Sequence, residues 1–229
     1  MNLVRKVIHF LFPSFCEICQ KPLEDLEVLV CNSCYFKLPF LKNYCQKCGN
    51  VDLTYSEVSY CGKCLSLKFY FDKFIAGFKY EKPISNWILE AKFKENFLLA
   101  YQLGRLLNKT LSLKVPSVDV VIPLPLSKGR LKKRGYNQSF LIAYGFSGKK
   151  PELNLLFKTK ETQPQMELSY KERVENIKDA FLALRDKVEG KRILLIDDVM
   201  TTGATLNEAS KALKKAGAKE VYGCVVARA

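Results

Sequence analysis

The chain has 229 residues, 48% of them apolar, with 37 Lys/Arg against 23 Asp/Glu and a formal net charge of +14. That length supports one sizeable core with a small appended module and excludes two full domains. The basic surplus points to polyanionic partners: nucleic acid, nucleotides or an anionic membrane surface. Only +2 of it lies in residues 1–68 and +12 in residues 69–229, so the polyanion-binding surface is expected in the later part.

The first thirteen residues, MNLVRKVIHFLFP, break a short apolar run with Arg5, Lys6 and His9 and lead to no small-residue cleavage site. They read as mature protein rather than a secretory signal. No apolar stretch approaches the roughly 20 residues that cross a bilayer, so an integral membrane protein is not expected. The expected location is the cytoplasm, with peripheral association at the inner face of the membrane left open. His9, the sole histidine, reads as a packing or surface residue.

Eight of the nine cysteines form four C-x-x-C pairs, Cys16/Cys19, Cys31/Cys34, Cys45/Cys48 and Cys61/Cys64, separated by 11, 10 and 12 residues. A two-residue spacer lets both thiolates of a knuckle face one ion, and four thiolates in tetrahedral array suit Zn²⁺. Two structural zinc ions are expected, supplying folding energy that the first 68 residues cannot draw from a core of their own. Sequential grouping of the pairs is favoured, with interleaving open. Disulfides would need an oxidising compartment that nothing implies, and a redox dithiol would follow a strand and open a long helix. A double zinc-ribbon domain over residues 1–68 follows, with a second domain over 69–229.

Residues 70–79 read as a strand and residues 84–107 as one amphipathic helix opened by Pro83 and Ser85. Residues 118–122 are a short apolar, β-branched run ending at Pro123, the form of a parallel strand buried on both faces. Residues 193–196 are a second such strand, followed by a helix over 203–216 that Gly217 stops, and a third strand over 221–227. Cys224 sits within that last strand as an inert core thiol. The alternation predicts an α/β fold with a parallel sheet flanked by helices, and ligands beyond the strands' C-terminal ends.

In RILLIDDVMTTGAT, the second strand delivers Asp197 and Asp198, then Val199 and Met200, to a turn made of Thr201, Thr202, Gly203, Ala204 and Thr205. Backbone N–H groups at such a turn cradle a phosphate, and Thr hydroxyls add donors. Adjacent carboxylates suit a vicinal diol and can help hold Mg²⁺. A plain strand-to-helix turn would explain the threonines but not the paired acids. The segment resembles the phosphoribosyl pyrophosphate (PRPP) motif of type I phosphoribosyltransferases, which implies ribose contacts from Asp197 and Asp198 and 5-phosphate contacts from residues 201–205.

After the strand over 118–122 comes PLPLSKGRLKKRGYNQS, with Lys128, Arg130, Lys132, Lys133 and Arg134 in seven positions. Such a run is usually solvated surface; leaving a buried strand on the side of the phosphate loop, it becomes a site for pyrophosphate or nucleic-acid contact. Cysteine pairs, I-P-L-P with RGYNQ, then Thr162, Gln165, Leu168, Arg173, Asn176 and Ala180-Phe181, then the phosphate loop, together resemble the ComF family of competence proteins, ComFC type, over essentially the whole chain. The resemblance implies a zinc-ribbon module joined to a phosphoribosyltransferase-like domain that handles incoming single-stranded DNA during natural transformation, alongside a DNA translocase or helicase of the competence machinery. Arg134, Gly135, Asn137 and Gln138 match the family's RGxNQ element, and Arg173 and Asn176 its later R-x-x-N. Read from the residues alone, Asn137 could equally be a helix cap and Arg173 a surface ion-pair residue.

Two functions stand against each other. In one, the basic domain binds single-stranded DNA together with PRPP or a related nucleotide, Mg²⁺ accompanying the PRPP, with Tyr136 and Tyr144 as candidate stacking rings. In the other, the chain is an active phosphoribosyltransferase acting on an unspecified base or amine. No base-recognition hood or catalytic base is legible.

Overall fold

The computed structural model describes residues 13–23, 25–26, 28–50, 60–65, 68–162 and 170–229. Among them, four parallel strands form the main sheet: β1 (Lys73–Lys79), β2 (Val120–Pro123), β5 (Arg192–Met200) and β6 (Glu220–Arg228), in the order β1-β6-β5-β2. A small antiparallel pair, β3 (Leu156–Lys158) and β4 (Phe181–Ala183), lies apart from it.

The sheet alternates its side chains between two apolar layers, which is why its strands read as continuous apolar runs. Ile75, Leu194, Ile196, Cys224 and Val226 face one cluster, shared with α3 (Ile84–Phe93), α4 (Phe97–Leu111) and α6 (Gln138–Ser147). Phe74, Ala76, Ile193, Leu195 and Val225 face the other, shared with α9 (Ala204–Lys215) and the β3–β4 pair. Cys224 is fully buried, and burial pushes its thiol up to about 12, the inert core group expected.

Residues 84–107 are not one helix. The chain breaks at 94–96, where Glu95 takes φ 54° and the Asn96 side chain caps α4 by accepting from Leu99 N at 3.0 Å. Asn96 also donates to Glu90 Oε1 at 3.0 Å, tying the end of α3 to the start of α4. The apolar period runs through the break undisturbed; the asparagine, which satisfies backbone donors locally, decides it. The basic run after β2 is likewise helical, α5 (Lys128–Arg134), closed by Gly135 at φ 79°.

The cysteine-bearing region packs directly on the sheet. Two single turns, α1 (Asn32–Tyr35) and α2 (Gly62–Leu65), lie within its second and fourth knuckles and carry Cys34 and Cys64. Residues 39–46 run along the exposed edge of β1, with Lys79 N to Pro39 O at 2.8 Å, Leu41 N to Gly77 O at 3.0 Å and Phe74 N to Gln46 O at 2.7 Å. Leu23, Leu29, Val30 and Leu38 join the same apolar cluster as α4. An edge that would invite another strand is thereby covered. α4 and α6 cross at Gly104 and Gly145, where a Cβ would stand 2.1 Å from the carbonyl oxygens of Ile142 and Tyr101.

Candidate functional site

The four sulfurs of Cys16, Cys19, Cys31 and Cys34 lie within 4.8 Å of one another, as do those of Cys45, Cys48, Cys61 and Cys64. Grouping is therefore sequential. Zn–S bonds of ~2.3 Å at tetrahedral angles space sulfurs about 3.8 Å apart; the Cys19–Cys31 and Cys48–Cys61 separations are 3.7 and 3.5 Å. Backbone N–H groups aim at the sulfurs, Cys61 N lying 3.2 Å from Cys45 Sγ. Burial alone would raise the Cys16 and Cys45 thiols, yet these donors bring them down to about 6 and about 7. Both donor sets fit a zinc ion, held by four thiolates apiece, whose contribution there is structural.

At the far end of β5 the strand does not stop at the acids. Asp197, Val199 and Met200 still pair with Val225, Ala227 and Arg228 of β6, so the sheet itself fixes where the two carboxylates point. Because neighbours on a strand face opposite ways, Asp198 turns inward and is 4% exposed, while Asp197 keeps an open edge. Asp198 Oδ2 takes Lys92 Nζ at 2.9 Å and Gln138 Nε2 at 3.0 Å, and its Oδ1 takes Val199 N at 2.7 Å. Asp197 Oδ1 accepts from Ser139 Oγ at 2.8 Å. Burial and the neighbouring Asp198 charge raise the Asp197 carboxyl to about 7. Burial works against the Lys92 ammonium, but Asp198 and Asp197 together hold it above the usual lysine range.

The loop after β5 turns through Thr201 and Thr202 to Gly203, whose φ of 78° caps α9 in the left-handed region that glycine adopts without cost. Thr202 Oγ1 accepts from Ala204 N at 3.3 Å. The first turn of α9 leaves N–H groups without intrahelical partners, and Val199, Thr201, Thr202, Ala204 and Thr205 are all half-buried around it.

α5 carries Lys128, Lys132 and Lys133 exposed, and Arg130 and Arg134 half-buried. Arg134 Nη1 donates to Gln138 Oε1, so a chain runs from the basic helix through Gln138 to Asp198. Arg130 Nη2 donates to Thr162 O at 2.9 Å. Asn137 caps α6, accepting from Ser139 N at 3.0 Å, and donates to Leu124 O at 3.0 Å; its side chain is structural. Tyr136 packs edge-on against Phe97, with ring centroids 4.5 Å apart, and Tyr144 against Tyr101 at 5.5 Å. Gln165 and Leu168 lie outside the described residues, as does the side chain of Arg173.

Sequence reasoning missed Lys92, Ser139, Lys158 and Glu161. Lys92 had a signal: Ile84 and Ile88 are buried at four-residue steps, and Lys92 continues that stripe. A lysine on a buried helix stripe asks for a partner, and Asp198 supplies it. Glu161 reaches back to the start of α5, accepting from Ser127 Oγ at 2.6 Å and Gly129 N at 2.7 Å, an arrangement with no local signature. Lys158 donates to Thr162 Oγ1 at 2.9 Å; burial, then the Arg130 charge, brings its ammonium down to about 8, against the pull of Asp197.

The acids do not fit a divalent ion resident on Asp198. Both of its oxygens are engaged, and a dication there would face the Lys92 ammonium. At about 4 Å and an effective dielectric near 20 that repulsion is roughly 8 kcal/mol.

A parallel sheet with an acid pair and a Thr/Gly loop at one strand's end, carried beside two four-cysteine clusters, defines a phosphoribosyltransferase-like domain joined to a double zinc ribbon. A family model for the phosphoribosyl transferase domain matches residues 151–229, and one for the double zinc ribbon domain matches residues 7–65. Competence protein F of Haemophilus influenzae is 36% identical over 226 residues, covering 93% of this chain and 96% of that one. DNA utilization protein YhgH of Escherichia coli K12 is 31% identical over 219 residues, 91% and 94% of the two chains. Competence protein ComFC of Streptococcus pneumoniae is 35% identical over 148 residues, 63% of each. The chain belongs to the ComF family of competence proteins. Among the described residues no helix is long and apolar enough to cross a membrane.

Proposed function

We propose that the protein handles single-stranded DNA during natural transformation, holding the strand on the basic surface of α5 beside a pocket for a ribose 5-phosphate ligand, PRPP in the first place. The observation that carries this reading is the Arg134–Gln138–Asp198 chain, a largely buried hydrogen-bond path that ties the cationic helix to the acid pair, where Asp197 keeps an open edge. The net charge of +14 supports it, since phosphate contacts dominate nucleic-acid affinity. So do the names of the relatives, competence and DNA utilization proteins. On this reading the 201–205 loop takes the 5-phosphate, Asp197 the ribose hydroxyls, and any Mg²⁺ arrives on the ligand's pyrophosphate. Work beside a DNA translocase in the cytoplasm follows from the same reading.

Titrating PRPP and single-stranded DNA against one sample tests it. Binding of DNA that falls steeply with salt, weakens on Lys132→Ala/Lys133→Ala and competes with PRPP is the expected result. Absent or salt-insensitive DNA binding refutes it. One observation favours a second reading, catalysis of phosphoribosyl transfer: an Asp197 carboxyl raised to about 7 by burial and by Asp198 is poised to exchange a proton near neutral pH. Turnover of PRPP across a panel of bases and amines, abolished by Asp197→Asn, would establish it; no turnover with any acceptor removes it.

A further inference from the structure

The corner between α3 and α4 exposes two phenylalanines in the midst of cations. Phe93 is 63% and Phe97 50% exposed, two large rings left to solvent at one corner of the fold. The Arg134 guanidinium lies 5.6 Å from the centroid of Phe93, and the Tyr136 ring braces Phe97 edge-on. Phe93 directly follows Lys92, which reaches Asp198, and Arg134 leads through Gln138 to the same carboxylate. Phe93 is thus flanked by Lys92 and Arg134, which lead to Asp198, and Tyr136, which braces Phe97, feels the Asp198 charge; the helix that carries Arg134 also exposes Lys132 and Lys133.

We propose that Phe93 and Phe97, backed by Arg134 and Tyr136, form a stacking platform for the bases of single-stranded DNA, a role that rests on the DNA-binding reading above. Every base has an apolar π-face that stacks on an aromatic ring regardless of sequence, and an arginine over that ring adds cation–π attraction. The lysines of α5 meet the phosphates between the bases. Duplex DNA buries its base faces within its own stack and so has nothing to offer these rings. An acidic peptide would satisfy the lysines but leave the phenylalanines exposed.

The test measures full-length protein binding a fluorescent thirty-nucleotide single strand over a range of salt concentrations, for wild type, Phe93→Ala, Phe93→Trp and Lys132→Ala/Lys133→Ala. Phe93→Ala is expected to lose affinity between roughly 5- and 150-fold, the range for removing one base stack, with the salt dependence unchanged. Phe93→Trp retains affinity. The lysine pair instead lowers the salt slope, by about 0.7 for each phosphate no longer neutralised. An oligonucleotide of abasic sites should bind wild type and Phe93→Ala equally. If wild type binds single strands and Phe93→Ala binds them as tightly, the platform is overturned and the DNA reading stands. A Phe93→Ala defect that persists on the abasic strand, or that alters the salt slope, also overturns the platform, because the ring would then act through the phosphate surface. If wild type binds no single strand, both readings fall.

Discussion

Replacing Lys92 by Met should destabilise the protein, because it strips the charged partner from a buried carboxylate. Its ammonium sits 2.9 Å from Asp198, with the two side chains 24% and 5% exposed. At an effective dielectric near 20 the bare attraction is about 6 kcal/mol, most of it offset by the desolvation of both ions. Removing one partner leaves a buried carboxylate behind, a loss of about 3–5 kcal/mol. Gln138 Nε2 and Val199 N still donate to Asp198, so the lower end applies, about 3 kcal/mol. For a chain of this length each kcal/mol moves the midpoint by about 2–4 °C, so Lys92→Met should lower Tm by roughly 6–12 °C at pH 8. Lys92→Met/Asp198→Asn should recover most of that, since the charge to be compensated is gone. Thermal unfolding followed by circular dichroism measures both. A fall under about 3 °C for the single variant, or a double variant no better than the single, would refute the idea that Lys92 neutralises Asp198.

Gly104→Ala should cost 3 kcal/mol or more, beyond the usual ~1–3 for overpacking, because its Cβ would meet backbone, the Ile142 carbonyl at 2.1 Å, rather than a side chain that can turn aside; a variant with wild-type Tm would show that α4 and α6 can separate at little cost. Purified protein should carry two zinc ions per chain by elemental analysis. Stripping them with a strong chelator should lower Tm for the whole chain, because Cys16 and Cys34 lie in the same apolar cluster as α4; a loss confined to local signals with an unchanged main transition would contradict that coupling. Lys158 titrates near 8 in the folded chain, below the ordinary lysine value, so its stability cost is full below that pH and vanishes above about 10.4. Lys158→Met should accordingly raise Tm at pH 7 and not at pH 11.

The sequence by itself determined what depends on local period and composition. β-branched runs bounded by Pro and Gly can bury both faces, so the parallel strands and their order with helices were legible, as were the zinc knuckles, whose two-residue spacing is itself the ligand geometry. The acid pair at the end of β5 was legible as a feature for a similar reason: two adjacent carboxylates at a strand's end demand partners, and Asp198 finds them in Lys92 and Gln138. What only the tertiary structure decided were meetings between residues distant in the chain. It laid residues 39–46 along the β1 edge and settled the sequential grouping of the cysteines that their spacing had favoured. It also brought Lys92, Gln138 and Ser139 from two helices onto Asp197 and Asp198. No local pattern encodes these meetings, because a buried charge is stabilised by whichever partner the packing delivers, and that partner lies 106 residues away for Lys92 and 60 for Gln138.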